Sequence, residues 1–134
     1  MKKGYFGHIE KDTQDNENFR KVLYTGEHSQ LVLMSLLPGE DIGEEVHEEV
    51  DQFFRVEKGM AQVFIDTTEY ALNDGDAVIV PAGAKHNVVN VGPDALKLYT
   101  IYSPANHKDG TVHSTKADAE KDHSEEHFDG KTTE

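Results

Sequence analysis

Four side chains in the middle of this chain are of types that move protons or hold a cation: Glu45, His47, Gln52 and His86. Side chains on a strand alternate faces with a period of two, so Glu45 and His47, two apart, project to one face. Gln52 shares a face with Phe54 and Val56, and His86 shares one with Val88, so all four are expected to point into an apolar interior. Buried polar groups need partners. Inside such an interior these residues either hydrogen-bond one another, Glu45 to His47 or to Gln52, or share a ligand. A register built on His47 and Glu49 fits the spacing to Gln52 poorly, and Asp51 has the wrong parity and belongs on the surface.

Two spaced sets of turn residues position these side chains. Gly75 is followed by five residues, Pro81, one residue, Gly83, two residues, His86, three residues and Asn90. The apolar run Ala77–Val80 and the Pro-Ala-Gly corner deliver His86 to the start of a strand over 85–91. The preceding set runs Gly39, five residues, Glu45, one residue, His47, four residues, Gln52, six residues and Gly59. Around them lie short apolar runs at 19–25, 30–37, 52–57, 60–66, 69–72, 77–80, 85–91 and 95–102, separated by Gly- and Pro-containing turns. Many short strands at this spacing predict an all-β sandwich or barrel. A short helix is expected around Asp15–Phe19, capped by Asp12, Thr13 or Asp15. The run Leu31–Leu37 is apolar on both faces, so its second face must be covered, either by the N-terminal segment or by a second subunit. Phe53, out of phase with Phe54 and Val56, tips that reading toward a homodimer.

The 134 residues suit one domain, divided as an N-terminal arm over 1–18, a barrel over 19–104 and a polar tail over 105–134. Beyond Asn106 bulky apolar residues are nearly absent, so the tail is expected to be partly mobile or a loosely attached helix. With 26 Asp and Glu against 13 Lys and Arg, the net charge of −13 argues against nucleic acid and anionic membranes as partners. The absence of cysteine excludes disulfides, thiolate metal sites and a cysteine nucleophile. No apolar run follows the N-terminal lysines and none is long enough to span a bilayer, which predicts a cytoplasmic location.

The two spaced sets resemble the paired motifs of the cupin superfamily, G-x5-H-x-H-x3-4-E-x6-G and G-x5-P-x-G-x2-H-x3-N. The second is matched at every defined position. The first is matched in its spacings and both glycines, with Glu45 at the usual first histidine and Gln52 at the usual glutamate. The resemblance implies a double-stranded β-helix, the small jelly-roll barrel of cupins. It also implies one divalent ion held at the positions of Glu45, His47, Gln52 and His86. The usual three imidazoles and one carboxylate become two imidazoles, one carboxylate and one amide, so the ligand charge stays at −1. Two His and one carboxylate is also a ligand set of non-haem iron enzymes. Iron, manganese, nickel, cobalt or zinc is therefore favoured over a softer ion.

The resemblance implies a small metal-dependent enzyme, dioxygenase- or isomerase-like, acting on a small organic molecule, with Glu45 and Gln52 assisting proton movement. The alternatives are a non-catalytic binding or sensor module and a metal-free cupin. Of Tyr99 and Tyr102, on opposite faces, at most one lines the pocket; Lys97 and Arg55 read as outward charges. His107 and His113 are within reach of a pocket mouth but read by default as solvated loop histidines, and His123 and His127, four apart, as part of a disordered acidic tail.

Overall fold

The computed structural model describes residues 3–122 and 127–133. A helix α1 (Ile9–Asp15) precedes nine strands: β1 (Arg20–Thr25), β2 (Gln30–Leu36), β3 (Glu45–Val46), β4 (Asp51–Lys58), β5 (Ala61–Ile65), β6 (Thr68–Leu72), β7 (Ala77–Val80), β8 (Lys85–Asn90) and β9 (Leu96–Ser103). A short strand β10 (Val112–His113) and helix α2 (Lys116–Lys121) follow. The strands form two antiparallel sheets, ordered β10-β1-β2-β9-β4-β7 and β3-β8-β5-β6. This is the antiparallel double-stranded β-helix expected from the motifs. The eight expected apolar runs each hold a strand.

Alternation fills the barrel. Val32, Met34 and Leu36 from β2, Phe54 and Val56 from β4, Val63 from β5, Val88 from β8 and Leu96 and Leu98 from β9 are all buried in one cluster. The inward polar residues gather toward one end. Gln30 lies opposite Tyr102, and Tyr102 opposite Gln52, in one cross-strand row. Leu36 and Leu96 form the row at the other end, where Asn90 donates to the Leu36 carbonyl.

Gly59, which closes the first motif, has φ of 105°, and a Cβ there would meet the Ala95 carbonyl oxygen and Leu96 Cα at 3.2 Å each. Left-handed backbone and crowding both penalise a side chain, so Gly59→Ala is expected to cost about 2 kcal/mol of stability. Urea unfolding checks this; an unchanged midpoint would contradict it.

The N-terminal helix lies earlier than expected, and none of the expected caps starts it. Its N-cap is His8, with no side-chain capping bond. Asn16 ends it: its Oδ1 accepts from the Asn18 backbone N–H, and its Nδ2 donates to the Asn18 carbonyl. An asparagine that satisfies the backbone locally competes with helix, so 16–18 turns instead of continuing α1. This arm covers part of the outer face of β2. The Ser35 N–H donates to the Asn18 carbonyl at 3.1 Å, and Lys97 Nζ donates to the Asn16 carbonyl at 2.6 Å and to Ser35 Oγ at 3.0 Å. Lys97 is thus outward by parity but turned onto the arm.

The C-terminal segment is tied to the barrel by more than its composition suggests. β10 pairs with β1, and Thr115 caps α2 by accepting from the Asp118 N–H. The Phe128 N–H donates to the Asn106 carbonyl, and the Thr133 N–H donates to the Thr25 carbonyl. His107 and His113, expected in solvent, are each only 4% exposed. Polar partners replace the missing apolar ones: Gln30 brackets His107, and Asp122 meets His113. His127 pairs with His107 through the backbone, and His123 lies outside the described residues. No helix among the described residues is long and apolar enough to cross a membrane.

Candidate functional site

Pairing of β3 with β8 sets Glu45 directly opposite His86. Val46 between Glu45 and His47 is exposed, as alternation demands, and Glu45 Oε2 lies 3.1 Å from His47 Nε2. The two are off the line of a hydrogen bond, and His47 Nε2 is buried with no hydrogen-bond partner. The His47 and His86 ring centres are 5.3 Å apart. Motif residues Glu45, His47 and His86 are therefore neighbours.

His86 is buried, and its Nδ1 lies 3.1 Å from the Ala84 carbonyl. A carbonyl only accepts, so Nδ1 carries the proton and Nε2 keeps its lone pair. Burial pushes the His86 pKa down and the nearby His47 adds to this, against the opposing Ala84 and Glu45 contributions, so the ring favours the neutral form. Burial raises the Glu45 carboxyl, but His47, Arg20 and His86 outweigh it and hold the group below its ordinary value. The result is an ionised carboxylate beside a neutral imidazole.

Gln52 is 2% exposed and lies opposite Tyr102 in the strand pairing. Its Nε2 donates to Thr100 Oγ1 at 3.0 Å, and its Oε1 is buried without a partner. Asp51 is exposed, with its Oδ1 accepting from the Ala82 N–H. Of the two tyrosines, Tyr102 faces inward. It stands edge-on to His47 at 5.8 Å and to His107 at 5.0 Å, with its hydroxyl 3.1 Å from His107 Nε2.

A cavity of about 590 Å3 opens between residues 42–47 and the C-terminal segment, with Arg20, Glu45, His47, His107 and Lys116 among its walls. A second cavity, of about 500 Å3, has Glu44, Phe64 and His86 among its walls. Among the described residues no group of three or more His, Cys, Asp or Glu is placed so that it could hold a metal ion as it stands. The donor chemistry nonetheless fits a divalent ion. A lone pair on His86 Nε2, an unbonded His47 Nε2, the Glu45 carboxylate and the orphaned Gln52 Oε1 are nitrogen and oxygen donors of the kind borderline metals take.

Sequence reasoning passed over Arg20 and Gln30 and set His107 and His113 in solvent by default. Arg20 and Gln30 stand at inward positions of expected strands, in phase with Val22 and Val32, so parity alone could have singled them out. His107 and His113 carry no such periodic signal.

Asp41 fastens α2 over the cavity. One of its carboxylate oxygens accepts from Lys116 Nζ and the other from Asn87 Nδ2 at 2.9 Å. Lys116 first, then Asn87, holds the Asp41 pKa below its ordinary value. The resulting stabilisation is present above the unfolded carboxylate pKa of about 3.9 and disappears as pH falls through the lowered folded value. Hydrogen-exchange protection in α2 should drop across that window, and Asp41→Asn should remove the pH dependence. An unchanged pH profile in the variant would contradict this role.

The fold and the inward glutamate and histidines define a cupin-type barrel protein. A family model described as a cupin domain matches residues 32–102, and the chain belongs to that family. It is 50% identical over 123 residues to the uncharacterized protein YrkC of Bacillus subtilis, covering 87% of this chain and 66% of YrkC. It is 43% identical over 112 residues to protein L612 of Acanthamoeba polyphaga mimivirus, covering 81% of this chain and 70% of the other. Among solved structures, BH2720 from Bacillus halodurans is similar with a TM-score of 0.87 and 44% identity, covering 89% of this chain and 95% of that one.

Proposed function

We propose that this chain is a small metal-dependent cupin enzyme acting on a small organic molecule, its divalent ion held by Glu45, His47 and His86 with Gln52 as a fourth, weaker donor. The observation that carries this reading is His86: its Nδ1 proton is engaged by the Ala84 carbonyl, which turns Nε2 into a fixed lone-pair donor beside an ionised carboxylate. When bound, the ion supplies Lewis-acid polarisation of a substrate oxygen. Glu45 remains ionised to accept a proton, and Gln52, anchored on Thr100, presents its amide oxygen. Tyr102, held by His107, closes the wall behind His47. The reaction class is dioxygenase- or isomerase-like by family resemblance. Elemental analysis of tag-free protein tests the metal reading: near-stoichiometric metal is expected in the native chain and a strong loss in Glu45→Ala and His47→Ala. Metal content unaffected by these substitutions would overturn it.

A second reading, a metal-free binding module, is favoured by the 3.1 Å approach of Glu45 to His47, since a carboxylate and an imidazole that close offset each other's burial with no ion required. Ligand-induced stabilisation of metal-free protein without turnover would select it.

We also propose a homodimer through the outer face of the larger sheet. Leu31, Ile101, Phe53 and Ile79 align in register across β2, β9, β4 and β7, and Ile79 is 63% exposed. Light scattering should give twice the chain mass, reduced to the monomer by Ile79→Lys; a monomeric native chain would contradict the proposal.

A further inference from the structure

Phe6 stands wholly in solvent, at 101% relative exposure, on a segment that is tied down on both sides. The Tyr5 hydroxyl donates to Asp12 Oδ2 at 2.9 Å and fills the space that a Cβ on Gly7 would take. The Asp12 N–H in turn donates to the His8 carbonyl at 2.9 Å. With Tyr5 folded back onto α1, its neighbour Phe6 is left facing outward. A lone exposed aromatic is ordinary; its place on the fold singles this one out. The arm that carries it is a ridge on the outer face of the larger sheet. There α1 packs against β9 and β4, Gln14 Nε2 donates to the Glu57 carbonyl at 3.2 Å, and Lys97 Nζ holds the Asn16 carbonyl. Two outward rows further along the strands, Leu31, Ile101, Phe53 and Ile79 stay partly or largely exposed.

We propose that Phe6 is a docking side chain, packing on the apolar row of a second copy of this chain. A two-fold interface sets one patch against itself. With the axis running across the strands, the ridge at one end of the face falls over the recess at the other, once in each direction. Each copy's Phe6 then gains a cover and each copy's row is capped. Charge selects a second copy over a basic partner. The row of Leu31 and Ile79 and the neighbouring row of Leu33, Tyr99, Arg55 and Ala77 contain no carboxylate, on a chain with 26 acidic residues against 13 basic ones. The Arg55 charge is met by Glu57 Oε1 at 3.2 Å. Two copies of net charge −13 can meet on these rows without setting carboxylate against carboxylate, whereas a cationic partner finds nothing there to pair with. This inference rests on the reading of the face as the dimer interface and names the side chain that closes it.

The chain has no tryptophan, so Phe6→Trp makes residue 6 a single fluorescent reporter. Its emission is expected to be blue-shifted in the dimer. It should move to that of a water-exposed indole on dilution, at the concentration where light scattering shows the mass halving. Adding Ile79→Lys should give the exposed emission at every concentration, which also reads a dimer too tight to dilute apart. In sedimentation equilibrium, Phe6→Ser should raise the dimer dissociation constant about ten-fold or more, the scale of burying one phenylalanine side chain. Phe6 is fully exposed in the single chain, so neither substitution at this position should disturb the fold. Water-exposed emission from a protein of dimer mass, or a dissociation constant unchanged in Phe6→Ser, would overturn the inference and leave the dimer standing. A blue shift that persists in the Ile79→Lys monomer would place the cover of residue 6 within its own chain and would also overturn it. A native chain that is monomeric at every concentration would overturn the dimer reading and this inference together.

Discussion

Replacing Gln30 with leucine is expected to lower the unfolding free energy by about 4 kcal/mol, the summed cost of stranding several buried backbone groups. Gln30 is fully buried, and one side chain satisfies a whole turn of the C-terminal segment. Its Oε1 accepts from the His107 N–H at 2.9 Å and the Asn106 N–H at 3.2 Å, while its Nε2 donates to the His107 carbonyl at 2.7 Å and Thr25 Oγ1 at 2.9 Å. Leucine keeps the volume and removes all four bonds, so the loss is one of polar satisfaction rather than packing. The effect should also be local. His107 would lose its backbone anchors, Tyr102 its fixed partner, and the segment over the cavity its tether. Urea unfolding and hydrogen exchange of residues 106–113 read both parts. A stability loss under about 1 kcal/mol with protection retained would mean that another contact holds the segment.

The second large effect is on metal content. His86→Ala is expected to reduce divalent-metal affinity by at least about 100-fold, because it removes a donor whose tautomer the protein has already set. Little folding penalty should accompany it. His86 is at the polar end of β8, whereas the apolar packing of that strand comes from Val88 and its far anchor from Asn90 on the Leu36 carbonyl. Loss of metal with an intact melting transition is the expected pair of results, measured by equilibrium dialysis and circular dichroism. Unchanged affinity would remove His86 from the site.

The barrel was legible in the sequence because its strands are short, alternate cleanly and end at glycines and prolines. His86, Val88 and Asn90 all face inward as their parity requires, and Gly59 sits where only a glycine fits comfortably. The neighbourhood of Glu45, His47 and His86 followed from the same parity and the motif spacing. The missed features depend on long-range pairing. Nothing local connects Gln30 to His107, 77 residues away, or Arg20 to His113, 93 residues away. The C-terminal segment is polar, so composition assigned it to solvent; it is held by hydrogen bonds and ion pairs that no hydrophobic pattern records. The N-terminal helix was displaced because Asn16 closes a side-chain turn where a helix start was expected.

The central claim is that Glu45, His47 and His86 hold a divalent ion inside the barrel. Anomalous scattering from crystals of tag-free, metal-supplemented protein, recorded on either side of the metal's absorption edge, tests it most directly. A single strong peak is expected within bonding distance of Glu45, His86 Nε2 and His47 Nε2. A barrel with no peak among these side chains, in protein supplied with iron, manganese, nickel, cobalt and zinc in turn, would contradict it.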